Sequence, residues 1–157
     1  MTRVLFICMG NICRSPAAEI VFRKMAEDAG RGDEFGIDSA GTIGFHKGSP
    51  PDPRMSDQLT KRGYAVKGRS RQLVAGDLCD FDILLTMDGE NLTDTLTLDP
   101  SGKLHHKVKP FAGFLRENDA PEIPDPYYGG DRGFAHVIDL LEDGCASLLD
   151  SLVDAQA

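Results

Sequence analysis

The run Val4-Leu5-Phe6-Ile7-Cys8 is apolar at every position, with no alternation. A strand with one face in water alternates, so an unbroken run belongs to a strand covered on both faces. Helices above and below such a strand imply a parallel sheet built from strand–helix–strand units. Three further segments fit that frame. Phe35 to Ser39 reads as a strand ending at Ala40-Gly41, Phe81 to Met87 as another buried strand, and Val108 to Phe111 as a short last one. Helical patterns lie between them. Ala17, Ala18, Val21 and Met25 form one, stopping at Gly30; Met55 and Leu59 follow Asp52-Pro53 and stop at Gly63. A third lies near Asp88 to Leu96. A long stripe (Phe134, Val137, Ile138, Leu141, Cys145, Leu148, Leu149, Leu152) follows Pro124-Asp125-Pro126. The expected architecture is α/β, a twisted parallel sheet of about four strands with helices on both faces. The 157 residues suit a single domain. Ligands of such sheets bind beyond the carboxyl ends of the strands, which directs attention to the loop after Cys8.

The charge balance narrows the partners. Twenty-five acidic against 17 basic residues give −8, which argues against general binding to nucleic acid or anionic membrane. No apolar run approaches the ~18–20 residues of a membrane helix. The run behind Arg3 is too short for a signal peptide, so a cytoplasmic location is expected. The four cysteines, Cys8, Cys13, Cys79 and Cys145, then read as thiols. Their spacing lacks the paired ladders of a zinc site, and neither metal nor cofactor is expected. Cys79 and Cys145 read as small buried residues. An anion handled by this chain must be held locally, against the chain's own field.

The loop Cys8-Met9-Gly10-Asn11-Ile12-Cys13-Arg14-Ser15 can do that. A strand delivers Cys8 to the sheet edge, and a helix starts about seven residues on, with Ser15 as its expected N-cap and Pro16 in its first turn. The intervening amides can curl into an anion nest, and the helix N-terminus adds unpaired donors and partial positive charge. Gly10 and Asn11 tolerate left-handed backbone. Arg14 offers a planar fork matched to two oxygens of a tetrahedral dianion. The same field should lower the pKa of Cys8, and Ser15 can donate to its thiolate. The result is a nucleophile inside a phosphate cradle. Taken singly, Cys8 would pass for core and Arg14 for a solvated helix start; the strand–loop–helix setting makes the constellation specific.

This C-x-G-N-x-C-R-S signature after an N-terminal strand resembles the low-molecular-weight protein tyrosine phosphatases. The likeness runs through Ser39-Ala40-Gly41, Pro51-Asp52-Pro53-Arg54, Ser70-Arg71-Gln72-Leu73, Thr86-Met87-Asp88 and Asp125-Pro126-Tyr127-Tyr128 to the long last helix. It implies one such domain over residues 1–157 and a phosphotyrosine protein substrate. The implied catalytic residues are Cys8 as nucleophile through a phosphocysteine, Arg14 as phosphate ligand and Asp125 as general acid and base. Met9, Gly10, Asn11, Ile12, Cys13 and Ser15 would cradle the phosphate or another oxyanion. Phe45, Tyr127 and Tyr128 would wall the pocket. Asn11 and Ser39 would hold the loop, with Glu19, Arg71 and Asp88 in support; a surface ion pair is the alternative for Arg71 and Asp88. A monomer or weak dimer is expected. Two departures stand out: Gly68 occupies the place of a frequent His that steadies the loop through Glu19, and Phe45 that of a frequent Trp.

Asp125 lies between Pro124 and Pro126, which stiffen a loop that can aim a side chain. On residue type alone it is equally a plain turn. Three rival functions share the cradle. A thioredoxin-coupled arsenate reductase needs two more cysteines close in sequence, yet seven residues after Cys79 stands Thr86. A protein phosphoarginine phosphatase is expected to carry Thr where this loop has Ile12. A silent phosphate-binding module would have lost Cys8 or Asp125. Cys13, at the far end of the loop, is expected to trap an oxidised Cys8 as a disulfide, making the enzyme redox-sensitive.

Overall fold

The computed structural model describes residues 1–127 and 130–156. Strand β1 (Thr2–Cys8) occupies the middle of a four-stranded sheet, with Val4, Leu5, Phe6 and Ile7 fully buried. On one side it pairs with β2 (Phe35–Gly41), on the other with β3 (Ile83–Thr86), which carries β4 (Val108–Pro110) as the outer strand. All three pairings are parallel; Val4 is in register with Ile37 and with Ile83. The architecture expected from the apolar runs is therefore the one observed.

Alternate residues of β1 feed two cores. Val4 and Phe6 point toward α1 (Arg14–Asp28) and α5 (Gly130–Gln156), among Phe22, Phe134, Leu141 and Leu148. The Phe6 ring meets Phe22 and Phe111 with centroids 5.8 and 6.2 Å apart. Leu5 and Ile7 point the other way, with Ala40 and Leu84, against Leu78 of α3 (Gly76–Asp80) and Leu92 and Leu96 of α4 (Gly89–Leu96). Helix α2 (Pro53–Lys61) buries Met55 and Leu59 in the α1–α5 core.

Three local details differ from expectation. The ladder of the third strand covers only residues 83–86, because Phe81 closes the five-residue α3, too short to leave a periodic signal. Cys79, on that helix, is exposed, whereas Cys145 is buried. Ser15 is not a helix cap: Arg14 is already helical, and the cap position falls to Cys13, with no side-chain hydrogen bond.

The strand order places the site. From β1 the chain crosses to β2 on one flank, and from β3 to β4 on the other. The carboxyl ends of β1 and β3 thus flank a topological switch point, where the diverging connections leave a crevice. Cys8 ends β1, and Asp88, two residues beyond β3, caps α4 in a reciprocal box with Asn91.

Candidate active site

Residues 9–13 curl under the start of α1. Asn11 takes φ +56°, the one non-glycine residue with positive φ among those described. Asparagine tolerates this left-handed conformation because its short amide bonds locally. Asn11 Nδ2 donates to Ser15 Oγ at 2.8 Å and Ser39 Oγ at 3.0 Å, and its Oδ1 accepts from the Arg71 amide at 3.0 Å. The Ser39 hydroxyl donates to Glu19 Oε1 at 2.6 Å, and Arg23 holds the other Glu19 oxygen at 2.9 Å. The position of Gly68 does not leave Glu19 unheld: Arg23, one turn along α1, is its ion partner. Ser70 Oγ donates to the Gly10 carbonyl at 3.1 Å. Gly41 is needed for close approach, since a Cβ there would sit 2.7 Å from the Met9 carbonyl oxygen and 3.0 Å from the Asn11 nitrogen.

The loop closes around one sulfur. The Asn11 amide donates to Cys8 Sγ at 3.3 Å, and Ser15 Oγ lies 3.0 Å from it. The first helical bond of α1 runs from Ala17 N to the Cys13 carbonyl. The amides of Cys13, Arg14 and Ser15 therefore precede the first intrahelical bond, and Pro16 has none to offer. These donors and the helix dipole suit an anion over Cys8.

Arg14 is 3% exposed and fixed at one end: Nη1 donates to Asp88 Oδ2 at 2.6 Å and to the Ile123 carbonyl at 3.0 Å. Its Nη2 lies 3.7 Å from Asp125 Oδ2. Burial works against the guanidinium charge, but Cys8, Asp88 and Asp125 outweigh it and hold Arg14 more firmly protonated than usual. Burial likewise opposes the Asp88 charge, and the Arg14 and Asn91 hydrogen bonds overcome it, so this carboxyl sits below its ordinary range. Cys13 is the opposite case: burial, then the Asp52 carboxylate, push its thiol up. Arg71 reaches the loop through its backbone amide, while its guanidinium forms ion pairs with Asp38 and Asp77.

An open pocket of about 260 Å³ lies over the sulfur. Cys8, Met9, Gly10, Ile12, Cys13 and Arg14 form its floor; Phe45, Tyr127 and Asp125 stand around it. Nine of the sequence-named residues thus line one cavity; Asn11 and Ser15 contact the sulfur without lining the cavity, Ser39, Glu19, Arg71 and Asp88 support the loop and Arg14 from outside it, and Tyr128 lies outside the described residues. Two wall residues were not foreseen, Ile43 and His46, the latter edge-on to the Phe45 ring at 4.9 Å. Their proximity to Phe45 in the loop of residues 42–51 was the available signal. Among the described residues no group of three or more His, Cys, Asp or Glu side chains gathers to hold a metal, and no helix is long and apolar enough to cross a membrane.

A cysteine at the end of a central parallel strand, held by a loop amide at a helix N-terminus, with an arginine and a carboxylate lining the same cavity, is an arrangement chemically suited to a cysteine-dependent phosphatase. The family described as low molecular weight phosphotyrosine protein phosphatase matches residues 3–157. A Synechocystis protein carrying that family's name provisionally is 51% identical over 150 residues, covering 96% of each chain. The Bacillus subtilis low molecular weight protein-tyrosine-phosphatase YfkJ is 38% identical over 97% of this chain and 96% of its own. A crystal structure of a protein tyrosine phosphatase from Entamoeba histolytica, with Hepes in its active site, superposes with a TM-score of 0.96 over 100% of both chains at 39% identity. The chain belongs to the low molecular weight phosphotyrosine protein phosphatase family, and it is a phosphatase enzyme.

Proposed function

We propose that this enzyme hydrolyses phosphotyrosine in proteins through a phosphocysteine on Cys8. The observation that carries the reading is the Cys8 sulfur, held by the Asn11 amide and Ser15 hydroxyl at the floor of a cavity that Arg14 and Asp125 share. The Cys8 thiolate attacks phosphorus, and the bond from phosphorus to the tyrosine oxygen breaks. Asp125, protonated, gives its proton to that oxygen, so a neutral phenol leaves. The resulting carboxylate then takes a proton from water, whose oxygen attacks phosphorus; the sulfur–phosphorus bond breaks, and thiolate and inorganic phosphate are released. Arg14 and the loop amides bind the equatorial oxygens throughout, in place already and so without reorganisation. Phe45, Tyr127, Ile43 and Ile12 give the ring apolar faces. An oxyanion in the cradle, a cytoplasmic location and a monomeric or weakly dimeric state belong to the same reading.

Two alternatives fit less well. A phosphoarginine substrate would place a guanidinium against Ile12, which cannot hydrogen-bond it. Arsenate reduction needs a disulfide relay, and exposed Cys79 lies on α3, apart from the pocket lining. The test is hydrolysis of matched phosphotyrosine, phosphoserine and phosphoarginine peptides, with thioredoxin-coupled arsenate reduction run alongside. Phosphotyrosine should be turned over with the highest kcat/KM, and arsenate should not be reduced. Preference for phosphoarginine, or arsenate turnover, would overturn the reading.

A further inference from the structure

Asp125 sits in a segment whose two shoulders are both held by arginines. Two residues before it, the Ile123 carbonyl accepts from Arg14 Nη1 at 3.0 Å, and the Ile123 amide donates to the Met87 carbonyl at 2.7 Å. Two residues after it, the Tyr127 carbonyl accepts from Arg54 Nη1 at 2.7 Å. The Tyr127 amide in turn donates to Asp125 Oδ1 at 3.0 Å, closing an Asx turn that fixes the carboxylate.

Arg54 is itself fixed from three directions. Its Nε and Nη2 reach Asp52 Oδ1 and Oδ2 at 3.2 and 3.1 Å. Its guanidinium carbon lies 5.0 Å from the Tyr127 ring centroid and 4.7 Å from that of buried Phe134. Asp52 caps α2 and donates its own amide to the Ile12 carbonyl of the phosphate loop at 2.8 Å. An unbroken chain of contacts therefore runs from Ile12 through Asp52 and Arg54 to Tyr127 and Asp125. It joins the loop that carries the nucleophile to the loop that carries the carboxylate.

We propose that Arg54 is a positioning residue: it clips the Asp125 segment to the phosphate loop and sets where that carboxylate stands over the cavity. This rests on Asp125 acting as general acid and base. Arginine suits the task because its planar fork serves a carboxylate, a carbonyl and two ring faces at once. A lysine has the charge but not the fork. Proton transfer needs the carboxyl within hydrogen-bond reach of the leaving oxygen, so loss of the clip weakens protonation without removing the nucleophile.

The experiment measures kcat/KM over a series of aryl phosphates of rising leaving-group pKa for wild type, Arg54→Met, Arg54→Lys, Asp125→Asn and Arg54→Met/Asp125→Asn. Thermal melts establish that each is folded. Expected for Arg54→Met is a loss of roughly tenfold or more on phenyl phosphate and under about threefold on an activated nitrophenyl ester, since activated groups need little protonation. Arg54→Lys should fall between wild type and Arg54→Met. In the Asp125→Asn background, Arg54→Met should add almost nothing, because the acid it places is already gone. If Arg54→Met does not fold, Arg54→Lys carries the same comparison. Equal loss across the series, or full additivity with Asp125→Asn, would overturn the proposal. A flat series for Asp125→Asn alone would instead remove the acid role of Asp125, so the two failures are distinguishable.

Discussion

The hydroxyl of Ser15 faces the sulfur of Cys8 at 3.0 Å, with its proton free to point there. Asn11 Nδ2 donates to Ser15 Oγ at 2.8 Å, occupying an acceptor position of that oxygen. The Ala40 carbonyl, which this hydroxyl also reaches, is at the longer distance of 3.5 Å. Ser15 can therefore donate to the Cys8 sulfur. A donated hydrogen bond is what the proposed nucleophile needs, both when it attacks phosphorus and when it leaves again.

Removing the two groups should separate binding from chemistry. Cys8→Ser should abolish turnover while phosphotyrosine peptide still binds, because amides and Arg14 rather than sulfur hold the dianion. Ser15→Ala should keep turnover but lower it. A hydrogen bond to a charged group is worth ~1.5–3 kcal/mol, which corresponds to roughly tenfold to a hundredfold in rate. Single-turnover kinetics with acid-quench trapping of the phosphoenzyme, beside peptide titrations, checks both. Residual turnover by Cys8→Ser would remove the covalent route through this residue.

The pair between Arg14 and Asp88 predicts a specific acid sensitivity. Asp88 is 16% exposed on its side chain, and its carboxyl sits below the ordinary carboxylate value of ~3.9. A group depressed in the folded state stabilises it fully above the unfolded value and loses that contribution as pH falls through the folded one. Wild type should therefore lose stability on acidification below about pH 4. Asp88→Asn should start less stable at neutral pH, with Arg14 left buried and short of its partner, and should lose less on the way down. Urea melts from pH 7 to pH 3 measure the slope. An identical slope in the two proteins would show that this pair does not contribute to it.

Much of this was legible because short-range signals and fold demands agreed. The unbroken run Val4–Ile7 could only be a strand sealed on both sides, and that placed Cys8 at a carboxyl end. What escaped had conflicting or absent local signals. Ser15 before Pro16 has the look of a cap, but the curled loop brings Arg14 into the helix first and frees the hydroxyl for the sulfur. Ile43 and His46 lie in a loop of residues 42–51 where no periodicity says which side chain turns inward. Arg54 stood in plain view as an oddity: a basic residue in the first turn of α2 opposes the helix dipole, which asks for a compensating contact elsewhere. That contact, with Tyr127 and Phe134, spans a separation in sequence that no local pattern reports.

Oxidation offers a third measurement. Cys13 is a free, buried thiol at the end of the loop that begins with Cys8, and burial pushes its thiol up. Trapping a sulfenic acid on Cys8 as a disulfide requires the Cys13 thiolate, which is scarce near neutral pH. Peroxide should inactivate wild type in a form that dithiothreitol restores, and Cys13→Ser in a form that it does not. The restorable fraction should rise with pH as thiolate becomes available. Equal recovery of the two proteins at every pH would show that Cys13 only packs.

Selectivity rests on the walls, because the cradle fixes the floor. Ile12 is 9% exposed and lines the cavity beside the Cys8 loop, while Phe45 is 83% exposed and Tyr127 36% exposed at its mouth. Phosphotyrosine sets its phosphorus a ring's length from the peptide backbone, so the backbone can rest on that rim while phosphorus meets the sulfur. Phosphoserine is too short to do both. Phosphoarginine reaches, but presents guanidinium hydrogens to Ile12, and a polar group buried without a partner costs roughly 1–3 kcal/mol on the protein scale. That is about fivefold to 150-fold in relative kcat/KM, enough for discrimination. Wild type should prefer phosphotyrosine over phosphoserine by a wide margin. Ile12→Thr supplies a hydroxyl on a smaller β-branched side chain and should move the phosphotyrosine-to-phosphoarginine ratio toward phosphoarginine by about tenfold. Matched phosphopeptides assayed side by side give the ratio directly. An Ile12→Thr enzyme with the wild-type ratio would mean that the rim at Phe45 and Tyr127, rather than this wall, sets the preference.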